Sequence, residues 1–282
     1  MADQIFPFPA PGIAQHELAG IDLDRLPLTP PDILREYYQP MASGAWSLRS
    51  LPTIICMGYW GQLQIAQAII VLMRGQKTWM STAPMEIESQ RIGVDFARGH
   101  VVIYGLGMGW TTAMSALKPE VEQVTVVEMD AQVLDLHENL KLFDRLPDGV
   151  GSKVRIVHAD ALEWKPDSHV DLLMPDIWID MVSWERAEEV HDMQANVGAD
   201  MIYFWGQELA RHAVRLNRPL DDAGLAATAA QFDLPLVGLD TPDYAARTRA
   251  AARAWMKGRW LEGTLVPDDL RSAADDVAVG PI

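Results

Sequence analysis

The sequence predicts an α/β fold: a parallel sheet with flanking helices, a small N-terminal β unit and a helical C-terminal extension. Three observations carry that prediction. Val101-Val102-Ile103-Tyr104 runs straight into Gly105-Leu106-Gly107-Met108-Gly109, an apolar strand that ends in a glycine-rich turn. From 100 to 176, strand-like and helix-like segments alternate, the pattern of a parallel sheet. Three successive strands also run into carboxylates, at Glu128, Asp160 and Asp176. In open parallel sheets the ligand crevice lies outside the carboxyl ends of the strands.

Bulk properties narrow the class. A chain of 282 residues can bury a substantial core. Its net charge of −16 repels phosphate backbones, so a nucleic-acid partner is not expected. The single cysteine, Cys56, excludes an intrachain disulfide and any multi-cysteine metal site, and no metal is expected. Cys56 reads as a small buried hydrophobe. The opening residues carry no basic-then-apolar signal pattern. The longest apolar run, Ala68 to Met73, falls far short of the ~20 residues that span a bilayer. A cytoplasmic location without a membrane partner is therefore expected.

Residues 1–52 contain eight of the 18 prolines and read as an irregular arm with one short helix near Pro31–Tyr38. Its aromatic residues Phe6, Phe8, Tyr37, Tyr38 and Trp46 argue for packing over the domain or at a homodimer contact rather than for disorder. Residues 53–99 form the β unit and a linking helix: strands at Thr53–Trp60, Ile65–Met73 and Lys77–Met80, then a helix led by Pro84 at a first-turn position. Met80 and Ser81 are expected along the wall of the ligand crevice.

Residues 100–218 are expected to form a Rossmann-like domain. The glycines suit the turn from the strand into a helix over 110–118, because side chains there would keep a ligand from the backbone amides. Trp110 stands where a dinucleotide-binding fingerprint wants its third glycine, which points to a smaller nucleoside ligand. Glu128 closes the strand at Val124–Glu128, 23 positions after Gly105, near the ~20 expected for a carboxylate that holds ribose hydroxyls. Val133, Leu136, Leu140 and Phe143 give the helix over 131–143 one apolar face, with His137 beside it in a structural role. Strands follow at 154–161 and 170–176, with a short helix expected between them. A helix over 183–195 carries Glu185, Glu188, Glu189, His191 and Asp192, which read as a solvated face, with His191 kept beside that reading as a pocket candidate and, like Glu208, a base behind Asp176 and Asp180. A fifth strand is expected at Ala199–Trp205. Gln207 and Glu208 then either face the acceptor pocket or serve as ordinary first-turn helix residues. After 219 the chain reads as mostly helical, with helices near 221–231 and 242–257 and one short strand at Leu234–Leu239. Arg247, Arg249, Arg253, Lys257 and Arg259 read as a solvated helix face.

The succession Gly105-Leu106-Gly107-Met108-Gly109, Val127-Glu128-Met129-Asp130, His158-Ala159-Asp160-Ala161 and Asp176-Ile177-Trp178 resembles the motifs of class I S-adenosylmethionine-dependent methyltransferases, closest to the branch that contains spermidine synthases. The resemblance covers roughly residues 68–206. It implies S-adenosylmethionine as cofactor, with Gly105, Gly107 and Gly109 against its methionine part. Glu128 would hold the ribose hydroxyls and Asp160 the adenine amino group, with Met129 and Ala161 as further cofactor-binding residues and Gln76 at the cofactor tail unless it is simply an exposed turn residue. Asp176 would lie near the transferring group. Spermidine synthases usually carry an acid in the glycine turn, where this chain has Met108. Their fourth strand runs into a motif unlike Asp176-Ile177-Trp178-Ile179-Asp180. Both departures put methyl transfer to a small molecule or a peptide side chain ahead of aminopropyl transfer; a non-catalytic cofactor-binding partner protein, which the acidic surface and helical tail also fit, stands as the other alternative. Asp176 and Asp180 are then the candidate bases, with Trp178 and Tyr203 as pocket walls facing the sulfonium.

Overall fold

The protein is described by a computed structural model over residues 22–181, 186–214, 222–239 and 241–256. Its first sheet contains β1 (Leu28–Thr29), β2 (Met41–Ser43), β3 (Trp46–Met57), β4 (Leu63–Arg74) and β5 (Lys77–Ser81). The order is β1-β4-β3-β2, with β5 on β4. β3 and β4 pair antiparallel along their whole length, from Trp46 opposite Arg74 to Met57 opposite Leu63. β3 therefore begins inside the segment expected to be irregular. Alternation is masked there by Pro52, which has no N–H to give a ladder. Ala68 in β4 takes a φ of 52° where the pairing skips from Leu51 to Thr53. The helix expected near Pro31–Tyr38 is one 3-10 turn, Arg35–Tyr37. The first 21 residues of the arm lie outside the described residues.

α1 (Pro84–Phe96) links the two sheets. The second sheet is formed by β6 (Gly99–Tyr104), β7 (Val121–Glu128), β8 (Val154–His158), β9 (Leu172–Pro175) and β10 (Met201–Ile202), in the order β10-β9-β6-β7-β8. Every pairing in it is parallel. α2 (Trp110–Ala116) joins β6 to β7, and α3 (Ala131–Leu140) follows β7. Asp130 caps α3 by accepting the Gln132 N–H, the orphan donor that a helix start leaves. α3 stops at Leu140, because Lys141 turns left-handed at φ 51°. Between β8 and β9 there is only a turn after Asp160, and β8 itself ends at His158, before the expected Asp160-Ala161. The strand order reverses at β6, so the crevice opens where β6 and β9 diverge. β6 is the centre of the core: Val101, Val102, Ile103 and Tyr104 are all buried.

α4 (Arg186–Val197) precedes β10, and the expected start of this helix, with Glu185, lies outside the described residues. The fifth strand is reduced to two residues because the chain bends into α5 (Gln207–Val214). α6 (Asp222–Gln231) and α7 (Tyr244–Met256) follow. The strand expected at Leu234–Leu239 amounts to one parallel bridge, Leu236 to Ile202. Arg247 is not merely solvated: its guanidinium lies 4.1 Å from the Trp60 ring centroid. Lys257, Arg259 and the side chain of Arg253 are outside the described residues. Among the described residues no helix is long and apolar enough to cross a membrane.

Candidate active site

A cavity of about 680 Å³ opens at the carboxyl ends of β6 to β9. That is within the usual range for small-molecule sites, about 300–1,000 Å³. Its floor is the glycine turn. Gly105, Gly107 and Gly109 have φ of 93°, 51° and 78°, in the left-handed region where only glycine is unstrained. At Gly105 a Cβ would collide with the Asp176 carbonyl oxygen, and at Gly107 with Met80 Sδ. Gly105 and Gly107 line the cavity, whereas Gly109 sits behind them as the N-cap of α2, against His137, Leu142 and Phe143. His137 is buried and lies 2.9 Å from the Gly107 carbonyl through Nε2. Burial pushes its pKa down to about 4, so the ring is neutral at pH 7, and an Nε2–H tautomer would donate to that carbonyl.

Glu128, at the end of β7, braces the turn as well as facing the cavity. Its Oε2 accepts the Leu106 N–H at 3.0 Å and its Oε1 the Asp130 N–H at 2.8 Å. A carboxylate has about four lone-pair sites, which leaves capacity for ligand hydroxyls. Met129 and Leu162 are 67% and 44% exposed and both line the cavity, with Asp160 and Ala161 between them in the wall.

The inner end is built by Asp176, Trp178, Trp205, Trp110 and Glu86. Asp176 follows β9 and accepts from Gln90 Nε2 at 2.6 Å. Burial pushes its pKa up to about 7, against the opposing pull of Arg186 and the Gln90 hydrogen bond. Glu86 is buried on α1, one helical turn before Gln90. Burial, and next the Asp176 charge, push its pKa well above the ordinary carboxylate value, against the Ser81 N–H. Trp178 is fixed from two sides by α4: its Nε1–H donates to Glu189 at 2.6 Å, and the Arg186 guanidinium lies 4.4 Å from its ring centroid.

Several sequence candidates stand elsewhere. Gln76 is exposed in the turn between β4 and β5, outside the cavity. It is Arg74, two residues earlier, that reaches the wall, next to Trp46 and Trp79. Asp180 is exposed and bonds Arg186 only through its backbone carbonyl, so it does not join Asp176 at the cavity. His191 is half-buried on α4 away from the lining; the helix face that meets the site presents Arg186 and Glu189. Tyr203, Gln207 and Glu208 are buried behind the wall. Glu208 accepts from Tyr59 and Tyr244 at 2.8 Å each, and Gln207 donates to the Val237 carbonyl. Tyr203 donates to the Ser89 carbonyl beneath α1, and two residues on, Trp205 reaches the cavity. Burial and the neighbouring Glu88 push the Cys56 thiol up to about 12, which leaves it unreactive.

Glu86, Gln90, Arg186, Trp205, Trp46 and Arg74 were not legible as site residues. Glu86 and Gln90 share a helix face by their i, i+4 spacing, but nothing in the sequence says that this face is covered. At the opposite end of the sheet, His169, Asp171 and Asp200 bring ligand atoms within 4.8 Å of one another. His169 and Asp200 form an exposed pair at 3.1 Å, and Asp171 accepts the His100 N–H.

No protein-family model matches the chain, and no curated protein matches it in sequence. Among solved structures it is similar to the glycopeptide N-methyltransferase MtfA complexed with S-adenosyl-L-homocysteine, at 19% identity and a TM-score of 0.32, over 39% of this chain and 43% of that one. It is similar to a putative RNA methyltransferase from Pyrococcus horikoshii at 21% identity and a TM-score of 0.32, over 44% and 60%. The mitomycin 7-O-methyltransferase MmcR gives 17% identity and a TM-score of 0.30, over 40% and 34%. The chain spans about half the length of the structures it matches.

Proposed function

We propose that the protein is an S-adenosylmethionine-dependent methyltransferase acting on the oxygen or nitrogen of a small molecule or peptide side chain. The observation that carries this reading is one cavity with three parts: the open glycine turn, the ribose-type acid Glu128 between Leu106 and Asp130, and a half-buried carboxyl, Asp176, at its inner end. The glycine turn and rim fit such a cofactor. Glu128 has lone pairs free for two hydroxyls, Met129 and Leu162 offer apolar surface to a base, and the wall is carboxylate-rich toward a sulfonium and an ammonium.

The cofactor, when bound, supplies an electrophilic methyl group. The chain's own part is positioning and proton handling. The glycine turn and Glu128 would hold the donor, and Trp178 and Trp205 would form the wall against which an acceptor is placed. Asp176, with a pKa near 7, is suited to take a proton from an acceptor that must lose one. The tryptophan walls exclude water and favour positive charge. The N-terminal sheet before the glycine strand supports kinship with the spermidine synthase branch. Buried, apolar Met108 in the turn supports methyl over aminopropyl transfer.

Calorimetric titration with S-adenosylmethionine, S-adenosylhomocysteine and NADH tests the proposal. Binding of the first two and not the third is expected. Binding of NADH alone, or of none, overturns it.

A further inference from the structure

The inner end of the cavity has two carboxyl groups: Arg186 pulls on Asp176 from beyond salt-bridge range, and no cation among the described residues is paired with Glu86. Among the described residues neither Glu86 nor Asp176 is in salt-bridge range of a Lys or Arg. The nearby cation, Arg186, acts on Asp176 through its charge but makes its hydrogen bonds elsewhere. It donates to the carbonyls of Asp180, Met181 and Trp205 and stacks on Trp178. Gln90 satisfies one oxygen of Asp176. Glu86 is 6% exposed and lines the cavity, and no side chain among the described residues donates to its carboxyl. Two enclosed carboxyls facing one space disfavour joint ionisation and favour a bound cation. The surrounding walls, Trp110, Trp178 and Trp205, are aromatic surfaces that attract cations: Arg91 already lies 5.3 Å from the Trp110 ring centroid, and Arg186 4.4 Å and 6.0 Å from those of Trp178 and Trp205, which leaves their other faces for an organic cation.

We infer that the acceptor is an amine that enters as its ammonium, with Glu86 as a substrate-binding residue and Asp176 as the proton acceptor. This rests on the methyl-transfer reading above. The ammonium loses one N–H proton to Asp176. The freed nitrogen lone pair then forms a bond to the methyl carbon as the carbon–sulfur bond breaks, its electron pair going to sulfur. The product is a methylated ammonium and a neutral thioether, and charge is conserved, since Asp176 becomes neutral as the sulfonium does. An alcohol would leave Glu86 facing an uncharged group, and a carboxylate would meet two acids.

The test uses the full chain and three probes that differ only in head group: hexylamine, hexan-1-ol and hexanoate. S-adenosylhomocysteine is titrated first, then each probe into the product-saturated protein. The expected result is an amine preference of roughly tenfold or more over both others, the scale of one enclosed charge contact. Glu86→Gln should remove most of that preference, with circular dichroism reporting the fold. Equal affinities, a preference for the alcohol or the acid, or an amine preference that survives in folded Glu86→Gln overturns the inference. The unmodified protein alone decides the head-group question should that variant not fold. Absence of product binding overturns the proposed function instead, so the two failures are distinguishable.

Discussion

At the scale of single residues, the site depends on a few buried titratable groups. Asp176 must be ionised to accept a proton, and its pKa is pushed up to about 7. The rate for an acceptor that loses a proton should therefore rise with pH and level off above about 7, and Asp176→Asn should abolish that limb of the kcat/KM profile. Glu86 and Gln90 from α1 and Arg186 from α4 face Asp176 and set where the limb falls. Glu128→Ala should weaken S-adenosylhomocysteine binding by about 1–3 kcal/mol, since it removes hydrogen bonds to a charged group; calorimetry with unchanged affinity would rule out its ribose role. His137 works through stability. Its folded pKa, about 4, lies below the ordinary 6.5, so the unfolded chain takes up the proton first as pH falls. The stabilisation is fully present above about 6.5 and is lost on going down to about 4, by about 3 kcal/mol at most. Denaturant unfolding at about pH 7 and about pH 4.5 should differ less in His137→Gln than in the parent chain.

At the scale of elements, the glycine turn is the part that tolerates least. Gly105 and Gly149 both have positive φ, but a Cβ at Gly105 meets the Asp176 backbone carbonyl, whereas at Gly149 it meets nothing. Gly149→Ala should cost only the left-handed strain, about 1–2 kcal/mol. Gly105→Ala should cost about 1–3 kcal/mol more, because backbone must move. Urea unfolding of the two variants measures the difference, and equal losses would mean that the turn gives way easily. This element was readable from sequence because an apolar run into alternating glycines is a local pattern. α1 was readable as a helix, from Pro84 and its apolar spacing, but not as a contributor of Glu86 and Gln90. Which face of a helix is covered is set by what packs on it.

At the scale of the whole molecule, Glu208 ties distant parts of the chain together. It receives Tyr59 from the end of the first sheet and Tyr244 from α7, and it sits at the start of α5 behind the cavity wall. Tyr59→Phe and Tyr244→Phe should each destabilise the fold by about 1 kcal/mol, the usual worth of one such hydrogen bond. Because both hydroxyls serve one carboxylate, the double variant should depart from additivity by about 0.5 kcal/mol or more; strict additivity by denaturant unfolding would mean that the two ends are not coupled. The sequence by itself determined the succession of the five parallel strands from 99 to 205 and the helices after the first two, the glycine turn, and the acids at the ends of β7 and β9, because these follow from short-range patterning and a fixed strand-to-turn chemistry; the short helix expected between β8 and β9 is only a turn. Only the tertiary structure decided that Glu86 joins Asp176, that Arg74 rather than Gln76 reaches the cavity, and that Tyr203 and Glu208 lie behind the wall while Trp205 lines it. Those outcomes depend on how α1, α4 and the first sheet settle against the second, and contacts between segments tens of residues apart leave no periodic trace in the chain.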